Sequence, residues 1–221
     1  LTVLSVCLFS YSTAIGILSA ILVDLSKEFD VSVAGAGQLI TISLITVALS
    51  APLIGPFSDR IGRKRIVVIA QLLLGISLFG YSISKNFSTL IAFSVLLGMG
   101  GGMGMPFSFN LVSEYFHSQT YGKAISIISA GQPIALLAGV PIGAFIADKW
   151  GWQWSFFILG LFTLGSFLIA HFILIPAKIA LSEKRKTYFS NFIEAFHYRN
   201  FKAIITSNTL FSVAHFAIAT Y

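Results

Sequence analysis

Charge is what this chain of 221 residues has least of: Asp, Glu, Lys and Arg together make up 10% of it, where a soluble domain usually carries about a quarter. With 56% hydrophobic residues beside that shortage, an ordinary soluble enzyme is excluded. A single cysteine, Cys7, excludes an intrachain disulfide and offers little to a metal cluster. The apolar stretch Leu1 to Val23 has no basic flank and no small-residue cleavage pattern, and more such stretches follow. It reads as a membrane span rather than a signal peptide.

The scarce charges divide the chain into uncharged runs: Leu1 to Val23, Val31 to Ser58, Ile66 to Ser84, Asn86 to Ser113, Ala124 to Ala147 and Trp150 to Ala177. At 1.5 Å per residue each is long enough to cross roughly 30 Å of hydrocarbon. A seventh, Ala203 to Tyr221, stops with the chain. The expected architecture is an all-α membrane bundle of six helices over residues 1–177, a cytoplasmic linker with an amphipathic segment over 178–200, and part of a seventh helix over 201–221. A chain that opens on Leu1 and stops inside an apolar run is expected to be part of a longer protein, its second six-helix bundle missing.

Eleven of the fourteen basic residues fall after the second, fourth and sixth runs, and only Lys27, Lys85 and Lys149 fall on the other side. Positive residues collect in cytoplasmic loops, so the N-terminus is expected in the cytoplasm and Asp24, Glu28 and Asp30 outside. The formal net charge of +6 then has anionic lipid headgroups as its counterpart, and nucleic acid is not an expected partner.

An internal repeat is visible. A shift of 89 residues carries Leu22 and Val23 onto Leu111 and Val112, Pro52 onto Pro141, Asp59 onto Asp148, Arg60 onto Lys149, and Gly62 onto Gly151. Three spans separate the copies, so the copies face opposite sides of the membrane. That is the inverted-repeat arrangement of many secondary transporters.

The segment between the second and third spans reads Gly55, Pro56, Phe57, Ser58, Asp59, Arg60, Ile61, Gly62, Arg63, Lys64, Arg65. Proline and glycines suit a sharp turn, and Asp59 is placed to cap the following helix or pair with Arg60 or Arg63. Asp59 adds nothing to a positive-inside signal, so the segment is read as a conformational latch. Its spacing resembles the signature between helices two and three of the major facilitator superfamily. The resemblance implies that Gly55, Asp59, Arg60, Gly62, Arg63 and Lys64 form a gate between inward-open and outward-open states, with Glu114 of helix four as acidic partner.

Val31 to Leu39 resembles the opening of helix two in bacterial drug and sugar efflux members of that family, the arabinose efflux permease-like branch. Gly139, Val140, Pro141, Ile142 and Gly143 resemble an altered helix-five antiporter signature, with glycine and proline one residue apart instead of adjacent. Other departures are Ser94, where efflux relatives carry an arginine, Tyr121, where an arginine is frequent, and a first span without an acidic residue.

Glycines crowd the fourth span, Gly98 and Gly102 among them, and recur in the fifth at Gly131, Gly139 and Gly143, near Pro141. Small residues at such spacings let membrane helices approach closely. Uncharged polar residues are the candidates for the substrate pathway: Tyr11, Ser12, Gln38, Ser94, Asn110, Gln132 and His215. A helix-to-helix hydrogen bond is the competing role for each of them.

The expected function is proton-coupled efflux of a small organic solute by alternating access, with no cofactor beyond the proton gradient. The expected setting is a monomer, once complete, among the lipids of a bacterial inner membrane. Sugar or metabolite uptake or exchange is the alternative, and a non-transporting receptor or assembly protein stands as a different class.

Overall fold

A computed structural model describes residues 1–116, 118–173 and 206–207; the side chains of residues 51, 56, 57, 59, 60, 118 and 173 lie outside that description. The linker expected over 178–200 lies outside it too, as does the seventh span except Thr206 and Ser207. The described chain is helical: α1 (Thr2–Ala20), α2 (Leu22–Glu28), α3 (Val33–Ile61), α4 (Arg63–Ile83), α5 (Phe87–Tyr115), α6 (Ser118–Ser129), α7 (Gly131–Ile134), one π turn (Ala135–Gly139), α8 (Val140–Trp150) and α9 (Trp152–Ile173). Six stretches are long and apolar enough to cross a membrane, and α6 through α8 together make the fifth.

Local chemistry sets the boundaries. Ser32 caps α3 by accepting the N–H of Gly35 at 3.0 Å, and the Asn86 side chain caps α5 by accepting that of Thr89 at 2.9 Å. Both satisfy backbone donors that a helix start leaves without partners. α5 runs unbroken for 29 residues through its glycines and Pro106. The fifth span, by contrast, is interrupted. Pro141 has no N–H, and its ring crowds the carbonyl four residues back. The turn before it widens, the Val140 N–H reaching Ala135 instead of the carbonyl four back.

Between membrane helices apolar contact supplies little net drive, because lipid tails are equally apolar; close backbone approach and interhelical hydrogen bonds matter more. Here α3 packs along α5 and the fifth span packs along α1, while α4 lies against α5 and α9. The second helix of each triplet therefore rests on the first helix of the other. A methyl group added to Gly98 would meet the Ser43 carbonyl and Thr46, and one on Gly102 the Val47 backbone and Ser50. On the other seam, additions to Gly131, Gly139 and Gly143 would meet Ser5, Thr13 and Ile17 of α1.

The 89-residue shift carries Thr13 onto Gly102 and Ser50 onto Gly139. The contacts of Gly102 with Ser50 and of Gly139 with Thr13 are thus one contact occurring twice, with the glycine on the other partner each time. The corners repeat as well. Gly62 has φ 91° and Gly151 φ 94°, and each donates its N–H at 2.9 Å to the carbonyl four residues back, Ser58 and Ala147 respectively. That region of φ favours glycine.

Buried leucines, including Leu8, Leu39, Leu78 and Leu97, fill the interior, whereas Leu53, Leu137, Phe145 and Phe172 stand exposed. Large outward-facing apolar side chains suit a lipid surround.

Candidate gate and polar pathway

The gate segment is less loop than its composition suggests. α3 continues through Gly55, Pro56, Asp59 and Arg60 to Ile61, and Gly62 alone makes the corner. Asp59 therefore does not cap α4: it lies in the last turn of α3, and the position before Arg63 is Gly62, which makes no side-chain cap. Inside that turn Ser58 Oγ donates to the Gly55 carbonyl at 2.7 Å. A proline within a membrane helix is tolerated when nearby hydroxyls and neighbouring helices take up the freed carbonyls, so its presence did not force a loop.

Beyond the corner, Arg63 opens α4 and its Nη1 lies 2.8 Å from Oε1 of Glu114 at the end of α5, both side chains about one-third exposed at 33% and 30%. This pair ties the start of the third span to the end of the fourth. Its partial exposure keeps its worth to stability near 1 kcal/mol or less; its geometric effect is to hold the start of α4 against the end of α5. Lys64 is half-buried and Arg65 exposed. The side chains of Asp59 and Arg60 lie outside the described residues.

The polar pathway candidates separate by environment. Ser94 is fully buried: its Oγ donates to the Leu90 carbonyl at 2.9 Å and pairs with the Tyr81 hydroxyl, and its carbonyl accepts from Ser43 Oγ at 2.9 Å. It joins α3, α4 and α5 rather than facing an open passage. Tyr11 is buried against Gly101, its hydroxyl without a partner among the described residues, and Ser12 is half-buried. Gln38, Asn110 and Gln132 are exposed on the bundle surface. Unpaired carboxamides facing hydrocarbon are costly, so these three mark surface suited to water or another polar face. His215 lies outside the described residues.

Sequence reasoning passed over Gln71. Its side chain is fully buried, and Nε2 donates to the Val3 carbonyl at 2.8 Å and to Ser166 Oγ at 3.2 Å, joining α4 to α1 and α9. Ser10 and Thr163 make a second buried bond between α1 and α9 at 2.9 Å. The signal was present, a lone carboxamide inside an uncharged span, but nothing in the sequence named its partners. Trp152 differs from the neighbouring Trp150 and Trp154: those two are exposed, but Trp152 is 4% exposed, its ring set beside Phe29 and Phe156. Among the described residues no group of three His, Cys, Asp or Glu could hold a metal.

Known proteins agree with this architecture. The chain is 29% identical to the niacin transporter NiaP of Acinetobacter baylyi over 146 residues, covering 66% of this chain and 33% of that protein. It is 24% identical to the chloramphenicol resistance protein CraA of Acinetobacter baumannii over 201 residues, 90% of this chain and 49% of that one. With multidrug resistance protein 3 of Bacillus subtilis it shares 31% over 117 residues, 52% of this chain and 22% of that protein. The matches thus span from about a fifth to half the length of these relatives. The profile of the Major Facilitator Superfamily matches residues 4–221, and the chain, a multi-pass membrane protein, belongs to that superfamily.

Proposed function

We propose that this chain is the six-helix N-terminal bundle, with the start of the seventh helix, of a secondary carrier that works by alternating access, exporting a small organic solute against a proton gradient. The observation that carries the reading is the corner at Gly62, where the Arg63 to Glu114 pair holds the start of α4 to the end of α5, directly after the last turn of α3 in which Asp59 and Arg60 fall. Two spans, the second and the fifth, bury only 18% and 22% of their apolar windows, against 61% for the third and 56% for the fourth. Their open faces suit a second bundle of the same kind, and the position of the Gly62 corner suits a gate between the two.

In this scheme the end of the bundle bearing Gly62 faces the cytoplasm, as the eleven-to-three division of basic residues argues. The cell membrane is the bacterial inner one, and the complete protein is a monomer. Gly55, Gly62 and Arg63 shape the corner, Asp59, Arg60 and Lys64 supply the charge of the gate, and Glu114 anchors Arg63. The exposed carboxamides of Gln38, Asn110 and Gln132 face the passage or the second bundle, with Tyr11 and Ser12 deeper along α1. No Asp, Glu, Lys or Arg lies within the apolar runs, so a proton relay draws on His215 or on the second bundle. The resistance proteins among the relatives support export.

A second reading, uptake of a small organic acid, is favoured by the likeness to a niacin transporter. Reconstituted vesicles offered nicotinate, chloramphenicol and a set of sugars, with and without an imposed proton gradient, decide between them. Export requires accumulation of an amphiphilic drug driven by the gradient; gradient-insensitive nicotinate entry favours uptake; no movement of any solute contradicts both.

A further inference from the structure

The end of the bundle opposite Gly62 carries a second tie. Trp152 is the first residue of α9, directly after the Gly151 corner, as Arg63 is the first of α4 after Gly62. Its Nε1 donates to Oε2 of Glu28 at 2.5 Å, and the neighbouring Gln153 Nε2 donates to Oε1 at 3.1 Å. Glu28 ends α2, the continuation of the first span, as Glu114 stands at the end of the fourth. The 89-residue shift carries Arg63 onto Trp152 and Glu114 onto Leu25, one helical turn before Glu28. At both ends the first residue of a third helix holds a carboxylate at the end of a first helix.

The chemistry differs between the two. Arg63 meets Glu114 as an ion pair in a partly open setting. Trp152 meets Glu28 through an indole N–H on a buried ring that is flanked by Phe29 and Phe156, and Phe29 in turn leans on Phe87. A buried indole N–H needs a partner, so ring burial and hydrogen bond hold one another in place. Each Glu28 oxygen takes a neutral donor.

We propose that Glu28, Trp152 and Gln153 are positioning residues of the transport cycle, a clasp that holds the start of α9 to the end of α2 as Arg63 and Glu114 hold the start of α4 to the end of α5. The proposal rests on the alternating-access reading above. Because its donors are neutral, this clasp depends less on ionic strength than the ion pair at the other end, even though Glu28 itself is exposed.

The test uses the full-length carrier in vesicles, with spin labels replacing Ile83 and Lys149 at the far ends of α4 and α8. Trp152→Phe keeps the ring and removes the N–H; Glu28→Ala removes the acceptor; Glu28→Gln keeps one oxygen able to accept the indole N–H. The first two should broaden the 83 to 149 distance distribution and lower the maximal transport rate about tenfold with KM unchanged, the scale of losing one charge-assisted hydrogen bond. Glu28→Gln should stay within about threefold of the parent. High salt should leave the parent distribution unaltered. If Trp152→Phe and Glu28→Ala change neither width nor rate while the parent transports, the clasp is refuted. A loss of rate with unchanged width also refutes it, because the residues would then act by another route. A parent that carries no solute refutes the alternating-access reading instead, and the width still reports whether the contact orders the corner.

Discussion

The two helix seams of the bundle are the same contact built twice with different tolerances. Where α3 meets α5, Gly98 and Gly102 face the backbone of Ser43 and Val47, and both helices run unbroken through the seam. Where the fifth span meets α1, Gly131 faces the backbone of Ser5 and Phe9, whereas Gly139 and Gly143 face the side chains of Thr13, Phe9 and Ile17, and the span is interrupted by a π turn. Side chains can yield where a backbone cannot. The first seam is therefore rigid at both glycines and the second adaptable from Gly139 onward, a difference suited to a bundle in which one membrane-crossing pair keeps its place while part of another adjusts.

Breaking that comparison begins at its stiffest point. Gly98→Leu should cost about 3 kcal/mol, the upper range for overpacking where nothing can shift, and should collapse the yield of monodisperse protein. Unchanged yield and thermal midpoint would show that the α3 to α5 seam has slack. Gly139→Leu should cost less, about 2 kcal/mol, since Thr13 and Phe9 can rotate away; the protein should insert normally and lose transport. Near-normal transport would remove the π-turn seam from the account.

The corners sharpen the comparison at a smaller scale. Gly62→Ala and Gly151→Ala place a side chain at φ 91° and 94°, a strain of about 1–2 kcal/mol each. Thermal melts should show a loss at both corners, somewhat larger at 151, where the added methyl meets Gln153 Oε1 while at 62 it meets nothing within 4 Å; a loss at one corner only would separate the repeats. Smallest is Gly37→Ala, within α3 and with nothing within 4 Å of the added methyl. It should raise stability by about 0.5 kcal/mol through helix propensity alone, and a fall would reveal a contact at that position.

Much of this was legible in the sequence for a physical reason. Uncharged runs of membrane length leave few options other than helices, and the 89-residue shift is visible because the corners demand glycine and the neighbouring charges recur. Gly55, Pro56 and Asp59 were misread as turn residues because proline and glycine break soluble helices, a rule that membrane helices relax. Gln71 was missed because burial partners come from helices distant in sequence, Val3 and Ser166 among them. Trp152 resembled its two neighbours in composition, and only packing separates it from them. The roles of Asp59 and Arg60 came from resemblance, and that of His215 from its being a polar residue in an apolar run.

The two corners must lie on opposite membrane faces if the triplets are opposed, with Gly62 on the cytoplasmic side. Cys7 is fully buried, so single cysteines introduced at Lys64 and at Lys149 can be read with a membrane-impermeant maleimide in intact and permeabilised cells. The account predicts labelling at 149 in intact cells and at 64 only after permeabilisation. Labelling of both positions from one side would contradict it.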